Sequence, residues 1–256
     1  MDNSFALDDQ VAIVTGAGGG MGRTFSLALA QAGADVAITE LPDRMEAAEE
    51  TAAQVRDVGR RALAVSLDVT DTPSIQALVD HVVQAWGRID ILVNNAGINI
   101  RQLAVDVTEE AWDKIVSVNQ RGLFFCAQAV GRHMIERGQG GKIINIASQI
   151  GLVGYYERAV YCATKAAVVN LTRVLALEWA PHQINVNAIA PTFVRTPLVE
   201  KLLQDEAIQQ EVVSRIPLGR VAEPEDVAGS VVFLASPASD FVTGHTLLVD
   251  GGWTAI

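Results

Sequence analysis

The sequence predicts an α/β domain in which a parallel sheet, wound in two halves, carries helices on both faces. Short runs rich in Val and Ile alternate with longer helical patterns. Those runs are continuously apolar, as strands covered on both faces should be. No linker, internal repeat or low-complexity stretch divides the 256 residues, so a single domain is expected.

Taken in order, residues 11–15, 35–40, 62–67, 89–94, 142–147, 184–189 and 246–249 read as strands. Helical patterns fall between them at residues 21–31, 43–58, 72–86, 109–137, 160–179 and 224–234. Gly33 and Gly59 stand where helix ends favour left-handed backbone, and Pro181 cannot continue the fifth helix. Right-handed crossovers then give two βαβαβ halves and a ligand crevice where the strand order reverses. Residues 191–217 break the rhythm; their own amphipathic pattern over 198–213 predicts a lid or pocket wall at the carboxyl end of a strand.

Half the residues are apolar and 19% are charged, which excludes a disordered chain. A net charge of -11 and a pI near 4.8 argue against nucleic acid or an anionic membrane as partner. Cys126 and Cys162, both in apolar stretches, fit a reducing compartment. The acidic start MDNSFALDDQ lacks the features of a signal peptide, and no uninterrupted apolar run approaches the ~18 residues of a membrane span. A cytoplasmic protein with a small-molecule substrate is expected, with no membrane or nucleic-acid partner and no metal.

Residues 15–22, TGAGGGMG, follow the first strand and open the first helix. Glycines let the backbone turn sharply and approach a pyrophosphate, and the helix start offers free N–H groups. The spacing is T-G-x-x-x-G-x-G, with Met21 where the dinucleotide fingerprint has its third glycine; Gly16, Gly20, Met21 and Gly22 are the candidate contacts. Glu40 ends the second strand, 18 residues past Gly22. A carboxylate there accepts from ribose hydroxyls and repels a 2′-phosphate, which favours NAD over NADP. Asp68 and Val69 flank the adenine position, with Asp68 accepting from the exocyclic amine, and Asn95, Ala96 and Gly97 are small enough for close approach of the cofactor. All these residues sit at carboxyl ends of predicted strands, where such sheets bind ligands.

Tyr161 and Lys165 stand one helical turn apart, about 400° and ~6 Å along the axis, so phenol and ammonium share a face. A phenol with a pKa of about 10 is inert at neutral pH; a neighbouring ammonium and an oxidised nicotinamide are expected to lower it by about one to three units. Ser148, just past the fifth strand, reads as a hydroxyl for the reacting oxygen or as a helix cap. Asn119 reads as the holder of a relay water near Lys165 or as a buried structural amide.

Together with Asn94–Gly97, the NAIAP run at 187–191 and the ending VDGG at 249–252, these residues resemble the short-chain dehydrogenase/reductase family over essentially the whole chain. The resemblance implies a Rossmann-type, seven-stranded, homotetrameric enzyme. It assigns Tyr161 as acid/base, Lys165 as ribose anchor and tuner of Tyr161, Ser148 as substrate orienter and Asn119 as relay residue. It also places Pro191 beside the cofactor and gives the carboxamide to the Val194 backbone and the Thr196 hydroxyl. Thr192 departs from the family's usual glycine at that point.

Gln149, Tyr155, Tyr156, Arg158, Phe193 and Arg195 are expected around the substrate, a mixture suited to a polyol, sugar or sugar acid. The stretch GLVGYYERAVY, 151–161, resembles the gluconate 5-dehydrogenase-like branch. Two alternatives are an NADPH-dependent 3-oxoacyl-carrier-protein reductase and a non-catalytic nucleotide-binding scaffold or redox sensor. Glu40 and Gly19 oppose the first, and retention of Ser148, Tyr161, Lys165 and Asn119 opposes the second.

Overall fold

The computed structural model describes residues 4–255; the first three residues of the acidic start lie outside that range. Its strands are β1 Val11–Val14, β2 Asp35–Glu40, β3 Ala62–Ser66, β4 Ile91–Asn94, β5 Gly141–Ile146, β6 Ile184–Pro191 and β7 Thr246–Val249. Among the described residues these seven form one parallel sheet in the order β3-β2-β1-β4-β5-β6-β7. The order reverses between β1 and β4, which opens a crevice at their carboxyl ends.

The helices are α1 Gly20–Gln31, α2 Met45–Asp57, α3 Thr72–Trp86, α4 Glu109–Val116, α5 Leu123–Arg137, α6 Ala159–Trp179, α7 Pro197–Leu203, α8 Glu206–Ser214 and α9 Pro224–Ala235. Alternation along each strand divides the core in two. Ala12, Val14, Val36, Ile38 and Val93 pack against Phe25 and Leu29 of α1, Val55 of α2 and Val231 of α9. Val11, Ile13, Leu92 and Ile143 face the other way, onto Leu78 of α3, Val130 of α5 and Leu175 of α6. Both faces are apolar, which is why the strand sequences show no hydrophobic–polar alternation.

Two expectations are corrected. The single helix expected over 109–137 is interrupted by a π-turn, Ser117–Gly122, which separates α4 from α5. At Gly122 a Cβ would come within 2.7 Å of the Val69 carbonyl oxygen, so the widened turn and the glycine together let the helix pass the end of β3. The pattern over 198–213 is two helices, because Asp205 starts a new one by accepting from the N–H groups of Ala207 and Ile208. Phe193, Leu203, Val212, Ile216, Val221 and Trp253 form a small core of their own beneath this insertion.

With the short turn that follows it, α6 spans Ala159–His182 and is long and apolar enough to cross a membrane. That apolar length packs against β5 and β6 and buries Val168, Val169, Thr172 and Leu175.

At the amino end of the sheet, buried Asp90 collects the Val11 N–H (2.9 Å), Arg88 (2.8 Å) and Arg137 (2.7 Å), tying β1, β4 and α5 together. Removing the carboxylate leaves the Val11 N–H and the largely buried Arg137 without their shared acceptor. Asp90→Ala is expected to cost about 3 kcal/mol, which lowers Tm by about 6–12 °C. A thermal melt showing a drop under about 2 °C would refute this role for Asp90.

Candidate active site

Thr15 follows β1 directly and holds the crevice in register. Its hydroxyl accepts from the N–H groups of Asn95 and Ala96, both at 3.0 Å. The Asn95 amide in turn donates to the carbonyls of Thr15 (2.9 Å) and Gly16 (3.0 Å). The side chain of Asn95 therefore braces the glycine turn. Gly16 and Gly20 take left-handed φ of 63° and 54°, and a Cβ on Gly22 would come within 2.4 Å of the Gly16 carbonyl oxygen.

The start of α1 has no side-chain cap and no acidic residue in its first turn, and no atom lies within 4 Å of a Cβ built on Gly19. Uncapped N–H groups facing open space fit a diphosphate. Glu40 closes one side of this cradle. It is 6% exposed, accepts from Gly18 N–H (3.2 Å) and Leu41 N–H (3.1 Å), and pairs with Arg44 at 3.7 Å. One oxygen of Asp68 is taken by the N–H and hydroxyl of Thr70 (2.8 and 2.7 Å). Val69 is buried beside Gly122.

Beyond the crevice, the amino-terminal turn of α6 brings Tyr161 and Lys165 against the ends of β4 and β5. The Lys165 ammonium is 4% exposed, donates to the Ile146 carbonyl (2.6 Å) and lies 5.6 Å from the centre of the Tyr161 ring. Gly97 approaches Lys165 from the other side: a Cβ there would stand 3.7 Å from Nζ. Burial depresses the Lys165 ammonium to about 8.

Tyr161 shows part of its ring to solvent, but its hydroxyl is enclosed. Burial pushes that hydroxyl up to about 12, against the downward pull of a hydrogen bond with Ser148 and of the Arg158 charge. Without a dinucleotide, desolvation of the phenolate in this pocket outweighs the Ser148 hydrogen bond and the Arg158 charge; the expected acidification of Tyr161 is a property of the pocket with an oxidised nicotinamide in it.

Ser148 belongs to a polar chain. Its hydroxyl donates to Gln149 (2.9 Å) and lies 3.5 Å from the Pro191 carbonyl; the Gln149 amide donates to the Thr192 hydroxyl (3.3 Å). Ser148 makes no side-chain cap to the following turn, so the cap reading falls away. Thr192, where the family pattern has glycine, orients Gln149. Asn119 is fully buried in the π-turn and pinned: it accepts from Ile98 N–H (2.8 Å) and donates to the Ile98 carbonyl (2.8 Å) and the Thr164 hydroxyl (3.4 Å).

The segment after β6 leads from Pro191 and Thr192 into the lid. Phe193, Val194 and Arg195 are stitched to Ala222 by backbone bonds and a short bridge. Thr196 caps α7 by accepting from Val199 N–H (3.4 Å), and its methyl carbon stands 3.4 Å from a Cβ built on Gly20. The lid therefore begins directly across the cradle from the glycine turn.

Phe193 packs edge-on to Tyr155 at 5.5 Å, and both meet Trp253 at 5.7 Å. The Tyr155 hydroxyl donates to Glu211 of α8 at 2.5 Å and so ties the segment before α6 to the insertion after β6, while its ring also carries Arg158 at 4.8 Å. Two expected pocket residues are elsewhere: Tyr156 is largely exposed, and Arg195 pairs with Glu223 at 2.9 Å on the surface. Glu211 and Trp253 were not legible as site residues, since no local motif marks either one.

A family model described as enoyl-(acyl carrier protein) reductase matches residues 16–254. The chain is 44% identical over 253 residues to 2-dehydro-3-deoxy-D-gluconate 5-dehydrogenase of Escherichia coli (strain K12), covering 99% of this chain and 98% of that one. It is 40% identical over 253 residues to NAD-dependent glycerol dehydrogenase of Listeria innocua serovar 6a, covering 99% and 97%. The crystal structure of a gluconate 5-dehydrogenase from Burkholderia cenocepacia J2315 in complex with NADP and tartrate superposes with a TM-score of 0.95 at 40% identity, over 99% of this chain and 98% of that one. With the glycine turn, the Ser148–Tyr161–Lys165 cluster and the seven-stranded sheet in place, these likenesses establish that the chain belongs to the short-chain dehydrogenase/reductase family.

Proposed function

We propose that the chain is a dehydrogenase that interconverts a secondary alcohol and a ketone of a polyol, sugar or sugar acid, with NAD as its preferred cofactor. One observation carries the reading: an enclosed phenol, Tyr161, lies between the Ser148 hydroxyl and the buried Lys165 ammonium, at the carboxyl edge of the sheet that also bears the glycine cradle. The relatives named for gluconate derivatives and glycerol support the substrate class.

A nicotinamide held in this crevice would supply the two-electron hydride chemistry at the carbinol carbon. Tyr161 takes the hydroxyl proton in oxidation and gives it back in reduction. Ser148 holds the reacting oxygen, with Gln149 and Thr192 fixing the direction of its hydroxyl. Lys165 stabilises the phenolate and holds ribose hydroxyls; Asn119 fixes the Ile98 loop and the π-turn through which Lys165 reaches solvent.

Gly16, Gly20, Met21 and Gly22 receive the diphosphate. Asp68, Val69, Asn95, Ala96 and Gly97 line the adenosine and ribose path. Pro191, Val194 and Thr196 border the carboxamide, and Phe193, Tyr155 and Gln149 border the substrate. Exposed Phe241 and Leu248, just before and in β7, and an apolar hollow of about 320 Å³ at Phe124, Phe125 and Leu171 support association with further copies of the chain, read as a cytoplasmic homotetramer.

Tyr161→Phe is expected to lower kcat by about 1,000-fold while NADH affinity changes less than about threefold, measured by initial rates and NADH fluorescence. Retention of about a tenth of the wild-type rate would overturn the proton role.

Glu40 sets the second expectation. Wild type favours NAD over NADP by about 100-fold in kcat/KM, and Glu40→Ala cuts that ratio by about tenfold or more. A wild-type ratio at or below unity contradicts the assignment.

The third concerns stability. An unfolded Lys165 holds its proton to 10.5, and the folded one only to about 8, so the unfolded state binds more protons between these values. Stability therefore rises with pH across that window. Lys165→Met relieves a penalty of about 3 kcal/mol at pH 7 and is expected to raise the Tm of the cofactor-free protein by about 6–12 °C. The gain shrinks as pH approaches 10.5. A fall in Tm at pH 7 would show that the Ile146 contact outweighs the cost of burying the charge.

A further inference from the structure

Arg158 stands at the start of α6, one turn before Tyr161, and is 5% exposed. Its guanidinium carbon lies 4.8 Å from the centre of the Tyr155 ring and 5.4 Å from that of Phe193. Nη1 donates to the Tyr156 carbonyl at 3.2 Å. Among the described residues no carboxylate lies within ion-pair range of it, although its neighbours are all matched: Arg101 with Glu157, Arg195 with Glu223 and Arg215 with Glu211.

Even the adjacent Glu157 turns to Arg101. A buried cation without an anion is costly, and two aromatic faces offset that cost only in part. The charge also bears on the Tyr161 hydroxyl, so it sits within electrostatic reach of the reacting position.

We propose that Arg158 is the carboxylate anchor of the substrate pocket, selecting polyhydroxy acids over neutral polyols of the same carbon chain. The guanidinium fork matches a carboxylate bidentately, and the walls of Tyr155 and Phe193 keep water from competing for it. This rests on the dehydrogenase reading above and narrows its substrate class.

The test compares aldonates and their keto derivatives with the matching alditols and ketoses, using wild type, Arg158→Gln and Arg158→Lys. Wild type should favour the acids by about tenfold or more. Arg158→Gln should reduce the acid-to-neutral ratio of kcat/KM by about 30-fold, mainly through the KM for the acid, and Arg158→Lys should restore part of it.

A ratio unchanged in Arg158→Gln, with both substrates losing alike, marks a packing role and overturns the anchor while the dehydrogenase reading stands. Wild-type preference for the neutral substrates does the same. Turnover of neither class by a wild type that oxidises other secondary alcohols overturns the anchor and the polyol, sugar or sugar-acid assignment together. If Arg158→Gln fails to fold, as shown by lost NADH binding, Arg158→Lys decides: an acid KM unchanged in that variant overturns the anchor.

Discussion

The candidate site is organised round a lysine ammonium, Lys165, held almost out of water and 2.6 Å from the last carbonyl of β5. An ion in that position is unstable by itself, and the fold tolerates it because helix α6 is fixed along its length against β5 and β6. Helical spacing then obliges Tyr161 to share the pocket, and Ser148, leaving the same strand end, meets it there. One strained charge thus defines where a proton can be handled.

Around that pocket the sheet supplies geometry rather than reactivity. Thr15 and Asn95 cross-brace the loops after β1 and β4, so the glycine turn and the strand facing it move as one unit. Helices α7 and α8 pack from the other side through their own small core, with the Tyr155 hydroxyl bonded to Glu211 of α8. The segment 191–196 joins the two parts of the crevice: its beginning touches Ser148 and its end faces Gly20.

The sheet was readable from sequence because buried parallel strands leave continuous Val and Ile runs, and the glycine turn because its spacing is tied to a helix start. Tyr161, Lys165 and Ser148 were readable because two share a helical turn and the third ends a strand. The π-turn at Ser117–Gly122 was not, since apolar periodicity runs straight through it and its cause, the Val69 carbonyl against Gly122, is a tertiary contact. The same reason hid the Tyr155–Glu211 bond, whose partners are 56 residues apart, and the burial that raises the Tyr161 hydroxyl in the protein alone, which depends on how much water the folded pocket admits. Thr192 looked like a departure from pattern; its hydroxyl gives Gln149 a partner.

The central claim is that the Tyr161 phenol is made reactive by the charges assembled round it only when the dinucleotide is present. Tyrosinate absorbance, titrated as the difference between wild type and Tyr161→Phe with and without NAD, measures this directly. In the protein alone the Tyr161 hydroxyl should resist ionisation to about 12, above the ordinary value of 10, and NAD should draw its ionisation well below 10. Ionisation near 10 in both states would contradict the account, because neither burial nor the cofactor's charge would then be acting on that oxygen.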